Sequence, residues 1–153
     1  GLQTHEEMRQ LIQTLSERGI DCYVVSASTE WVVHEAVRQL GFAVAEERIF
    51  GIRVGLDRLG RLTTADPENY PVTYRQGKVE VIERFVKRTP MLVAGDADTD
   101  YDMLTLPGVN LRLLINRNLS SLIASLYHRP DILLQGLDLR TGRFHPFRET
   151  VGP

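Results

Sequence analysis

At 153 residues, 42% hydrophobic and 25% charged, the chain has the size and composition of one folded domain, which excludes a disordered or fibrous polymer. Eighteen Lys plus Arg against 20 Asp plus Glu leave a formal charge of −2, so no basic surface calls for a nucleic-acid backbone or an anionic membrane. A single cysteine, Cys22, forbids an internal disulfide, and the longest apolar-rich runs, such as Cys22 to Val25 and Leu111 to Ile115, fall far short of the roughly 20 residues that cross a bilayer.

Gly1-Leu2-Gln3 lacks a basic stretch followed by an apolar core, so no signal or transit peptide is visible. The chain opens almost inside a helix: Thr4 and Glu7 have capping-box spacing, and Met8, Leu11, Ile12 and Leu15 share a face until Gly19. So abrupt an opening reads as part of a longer chain. Asp21 to Val25 is a β-branched apolar run, with Cys22 as a small buried side chain, and it leads into Ser26-Ala27-Ser28-Thr29, a cluster suited to a turn and a helix cap. A second helix carries Trp31, Val33, Val37 and Leu40 and stops at Gly41. Helix, strand, helix is the alternation of a parallel α/β sheet.

Residues 42–76 read as an antiparallel excursion. Ile49 to Leu56 and Arg61 to Thr64 flank Asp57-Arg58-Leu59-Gly60 as a hairpin, and Asp66-Pro67 through Pro71 is turn-rich. Gly77-Lys78 opens a helix with Val79, Ile82, Phe85 and Val86 inward, and Pro90 precedes a buried strand, Met91 to Ala94, that ends in Gly95-Asp96. A third strand, Leu111 to Ile115, passes through Asn116-Arg117-Asn118 into a helix whose Leu119, Leu122, Ile123 and Leu126 share a face. The division is a core over 4–125 and a tail over 126–153 with little helix, whose one strand candidate is Ile132 to Leu134.

Three polar sites fall where open α/β sheets hold ligands, at the ends or starts of elements. Ser26 closes the first strand, and its hydroxyl with the free amides of the turn, Ala27 among them, suits an anionic oxygen; an isolated serine there also reads simply as a helix cap. Lys78 sits at a helix start, where the macrodipole disfavours a cation unless something negative is near; alone it reads as a solvated surface lysine. Asp96, Asp98 and Asp100 alternate directly after a buried strand, a concentration of charge that a divalent cation with oxygen ligands relieves. The plain alternative is an acidic turn capping the next helix. An EF-hand loop fails, because Tyr101 stands where its glycine belongs and Pro107 where its bidentate Glu belongs.

In this order the three sites resemble the haloacid-dehalogenase-like superfamily of phosphatases. VVSAS with Ser26 is similar to its second motif, GKVEVI with Lys78 to its third, and GDADTD followed by Tyr101-Asp102-Met103-Leu104 to its fourth. Within the superfamily the similarity is to the phosphoserine-phosphatase-like branch, and the tail from Leu133 to Phe144 resembles phosphorylcholine-phosphatase-type members. The resemblance implies a three-layer Rossmann-like parallel sheet with a small antiparallel hairpin, and Mg2+-dependent hydrolysis of a small phosphomonoester through an aspartyl-phosphate. It further implies that Ser26 and Ala27 hold the phosphoryl group, that Lys78 neutralises it, and that Asp96 binds the metal with Asp100 supporting the metal shell or Lys78. Thr99 departs from the Asn often found before that last Asp.

The family's nucleophile motif, DxDxT at the end of a strand, does not precede Ser26. The DxD at Asp96-Ala97-Asp98 comes after the second and third motifs, with Asp100 where Thr or Val belongs. Residues 1–153 therefore read as the carboxy-terminal portion of that architecture. The nucleophile strand would come from a preceding segment or a second copy of the chain, and would lie between the strands ending at Ser26 and Gly95. The competing reading is a non-catalytic phosphate- or metal-binding module.

Overall fold

The computed structural model describes residues 4–63 and 69–148. In chain order these form helix α1 (Glu6–Glu17), strand β1 (Val24–Thr29), helix α2 (Glu30–Leu40), strand β2 (Ile49–Ile52), and the two-residue strands β3 (Gly55–Leu56) and β4 (Leu62–Thr63). Helix α3 (Gln76–Val81) is prolonged by a π-helical turn (Ile82–Val86), followed by strand β5 (Leu92–Gly95), helix α4 (Tyr101–Leu104), and strands β6 (Leu111–Asn116), β7 (Leu133–Asp138) and β8 (Arg143–Arg148). Helices combined with parallel and antiparallel strands make an α/β protein.

The larger sheet has the order β5-β6-β7-β8, parallel through β7 and closed by antiparallel β8. β1 and β2 form a separate parallel pair, with Val24 opposite Ile49 and Val25 opposite Phe50, and β3 and β4 form a hairpin. Among the described residues β1 pairs only with β2, and β5 only with β6, so each has one edge without a strand neighbour. The main core lies on the larger sheet, where Leu104, Leu114 and Ile123 are wholly buried beside Val93, Leu126 and Leu134. Arg112 seals its rim, donating to the Leu104, Val109 and Leu106 carbonyls at 2.9, 2.9 and 3.0 Å and so satisfying the loop after α4. None of the helices among the described residues is long and apolar enough to cross a membrane.

Several expectations change. The capping box at Thr4 is absent: His5 is the N-cap of α1 without a side-chain bond, and Glu7 instead turns to β8, accepting the Phe144 amide at 3.3 Å. β1 runs on to Thr29, and α2 begins at Glu30, with no side-chain cap. The excursion is only partly antiparallel. Ile49 and Phe50 are buried in a strand parallel to β1, held by the Gly51 amide donating to the Glu30 carboxylate at 3.1 Å, and only β3 and β4 form the hairpin. The loop from Asp66 lies partly outside the described residues. Leu122–Leu126 is 3-10 rather than α-helical, and Leu119 precedes it. The tail adds β7 and β8 to the larger sheet, because Ile132, Leu134 and Leu137 are buried and give it an apolar face to pack.

Candidate functional site

Two glycines allow the close packing on which the site depends. A Cβ on Gly77 would stand 1.7 Å from the Val72 carbonyl oxygen, so only glycine lets α3 lie against the 70–75 segment. A Cβ on Gly95 would stand 2.5 Å from the Asp100 Cβ, so glycine at the end of β5 lets the following turn fold back with its carboxylate over the strand.

Into this space α3 delivers Lys78, buried at 4% exposure. Its Nζ donates to Asp100 Oδ1 at 2.6 Å and to the Val25 carbonyl of β1 at 2.7 Å. Asp100 Oδ2 accepts the Asp96 and Ala97 amides at 2.9 and 3.2 Å. The surface-lysine reading is thus set aside: Lys78 is a buried ammonium with a buried counter-ion, joining β1 to the turn that follows β5, two strands that do not pair. The composition carried a signal for it, since the chain has sixteen arginines and only two lysines, Lys78 and Lys87.

Ser26 lies in a β-bulge. Between the Val25–Phe50 and Thr29–Ile52 pairs three residues of β1 face one of β2, so Ser26, Ala27 and Ser28 bow out of the ladder. The Ser26 hydroxyl does not cap α2; it accepts the Ser28 amide at 3.1 Å and keeps its proton to donate elsewhere. Its carbonyl accepts the hydroxyl of the fully buried Thr73 at 2.5 Å, which ties the 70–75 segment to the bulge. The same segment is anchored at Tyr70, whose hydroxyl donates to Glu30 at 3.3 Å beneath the Arg53 guanidinium, 3.9 Å from the ring centroid. Burial, and then the negative charge of Glu30, push the Tyr70 hydroxyl up to about 12.

The three aspartates do not crowd one point, as their spacing had implied. Asp98 Oδ1 accepts the Ser121 hydroxyl at 2.7 Å and the Ile123 amide at 2.9 Å, and these bonds hold its carboxyl below the ordinary range. Asp96 is 41% exposed and pairs through Oδ2 with Arg117 at 3.0 Å. Asp100 is spent on Lys78 and two amides. Each charge has its own protein partner, which relieves the repulsion without a cation. Among the described residues no three His, Cys, Asp or Glu converge on a metal position. Sequence reasoning passed over Thr73, Arg75 and Arg117. Arg75 adopts φ 52° and ψ −118°, a backbone state natural only to glycine, and nothing in the letters RQGK announces it.

No family model and no curated protein matches the chain. Among solved structures it is similar to the crystal structure of a conserved protein of unknown function from Anaerococcus prevotii DSM 20548, with TM-score 0.87 and 32% identity. The match covers 100% of this chain and 43% of that one, so the chain spans less than half the length of this neighbour.

Proposed function

We propose that the chain forms the greater part of the core of a Mg2+-dependent phosphatase of the haloacid-dehalogenase-like type, acting on a small phosphomonoester. Its nucleophile would come from outside these residues. The observation that carries this reading is the buried Lys78 ammonium, held between the β1 carbonyl of Val25 and the Asp100 carboxylate beyond β5. A cation at the carboxyl ends of parallel strands is where an open α/β sheet receives an anion. One added parallel strand between the free edges of β1 and β5 would complete a three-layer Rossmann-like sheet and bring a carboxylate to the same point.

In that site Ser26 donates its free proton, and Ala27 its amide, to phosphoryl oxygens, while Lys78 neutralises the charge that spreads over them during transfer. Asp100 orients Lys78. Asp96, exposed and engaged at one oxygen by Arg117, fits a ligand for Mg2+, which accepts one or two carboxylates and keeps several waters. Asp100, with both oxygens bonded inside the protein, does not fit as a second direct ligand. When bound, the ion supplies further positive charge to the phosphoryl oxygens. One observation favours the alternative, a non-catalytic phosphate- or metal-binding module: the described residues hold no group of three or more His, Cys, Asp or Glu that would complete a metal centre around Asp96.

The test is thermal unfolding with Mg2+ and inorganic phosphate at millimolar concentration. The melting temperature should rise with each; Asp96→Asn should remove the Mg2+ increment, and Lys78→Met the phosphate increment. Equal shifts in parent and variants would overturn the assignment. With p-nitrophenyl phosphate the chain alone should be inert. Supplying a DxDxT strand, joined or in trans, separates the readings: turnover that Lys78→Ala abolishes supports the phosphatase, and continued inertness with intact phosphate binding supports the module.

A further inference from the structure

Arg75 occupies a backbone conformation that glycine would adopt with far less strain, so the contacts of its side chain must offset that cost. Its amide donates to the Thr99 carbonyl at 3.1 Å, in the turn that ends at Asp100. Its guanidinium forms an ion pair with Asp102 in α4 and lies 5.3 Å from the centre of the Tyr101 ring. Its carbonyl accepts the Lys78 amide at 2.9 Å. One residue thus grips the element that carries Asp100 from two sides and suspends Lys78 from its own carbonyl.

We propose that Arg75 is a positioning residue for Lys78: through Thr99 and Asp102 it locks the start of α3 onto the turn and α4, and so holds the Lys78 ammonium on Asp100 at the mouth of the site. Its importance for catalysis rests on the phosphoryl-binding reading of Lys78; the positional effect itself does not. Without the Arg75–Asp102 pair, α3 keeps its packing on α4 and the bond from residue 75 to the Thr99 carbonyl but loses its charged clamp, and the Lys78 ammonium leaves Asp100 and becomes exposed more often.

Two lysines make this measurable. The native protein is acetylated with trace acetic anhydride, and the Lys78 to Lys87 ratio is read by mass spectrometry, for the parent, Arg75→Gly and Asp102→Asn. Arg75→Gly relieves the strained backbone and keeps its amide; Asp102→Asn leaves the backbone untouched and removes the counter-charge. Thiol labelling at half-buried Cys22, which precedes β1 and faces the Ile12 carbonyl of α1, reports general loosening. In the parent Lys78 should react far more slowly than exposed Lys87. In each variant the ratio should move toward Lys78 by about tenfold, the effect of one charge-assisted hydrogen bond, with Cys22 unchanged. An unchanged ratio in both variants would overturn the proposal. Lys78 and Cys22 accelerating together would overturn it equally, because Arg75 would then support the whole domain. Neither readout depends on phosphate, so failure of the phosphoryl-binding reading leaves the result distinct.

Discussion

Asp100→Asn is the sharpest perturbation of the Lys78–Asp100 pair, because it preserves shape and removes one charge. The partners are 5% and 8% exposed at the side chain, so water screens little of their interaction. After the substitution the ammonium keeps the Val25 carbonyl at 2.7 Å but faces a neutral amide, an uncompensated buried charge that costs about 3–5 kcal/mol. In a chain of 153 residues such a loss corresponds to a fall in melting temperature of roughly 6–20 °C. Lys78→Met should cost less, because Asp100 retains the Asp96 and Ala97 amides. The double variant, with neither charge, should be more stable than Asp100→Asn alone, giving a coupling of about 2 kcal/mol in urea unfolding followed by circular dichroism. The losses should be nearly the same at low and high salt. Additive effects under 1 kcal/mol each, or losses that vanish in high salt, would refute the claim that this is a buried, mutually dependent pair.

The Asp98 carboxyl should titrate below its ordinary value of 3.8 by NMR, because the Ser121 hydroxyl, and next the Ile123 amide, favour the charged form; Ser121→Ala should move the midpoint back toward 3.8. A depressed folded-state value means that the tie between this turn and the 122–126 helix contributes fully above pH 3.8 and is lost as pH falls through the lower, folded value; a midpoint at or above 3.8 would count against it. Gly95→Ala should displace Asp100, since the new Cβ would sit 2.5 Å from the Asp100 Cβ, with a loss of about 1–3 kcal/mol and faster acetylation of Lys78; a variant as stable as the parent would show that the turn has room to shift.

Local pattern determined much of this protein. Apolar β-branched runs bounded by turn residues placed the strand at Leu92 within one residue and the strand at Val24 three to four residues early, and the run at Leu111 gave a third, because a strand buried among helices must be apolar along its length. Gly95-Asp96 marked the end of a strand and Gly77-Lys78 the start of a helix; that both glycines are demanded by close packing emerged with the structure. What the letters could not convey was partnership across distance. Ile49–Ile52 looked like one arm of a hairpin and became a parallel neighbour of β1, where Ile49 is buried with Val33 and Val37 of α2 and Phe50 with Tyr70 and Val81, partners distant in sequence. The tail offered one strand candidate, Ile132 to Leu134, and became two strands, since a sheet edge can recruit a short apolar run with weak periodicity of its own. The three aspartates looked like one cluster, yet a single 3-10 turn sends Asp98 to Ser121, Asp96 to Arg117 and Asp100 to Lys78. Alternation in sequence predicts shared direction only in an extended strand, and residues 98–100 are not extended. The fate of each charge was decided by groups 21 to 23 residues away, brought within bonding distance only when β5, β6 and α3 packed together.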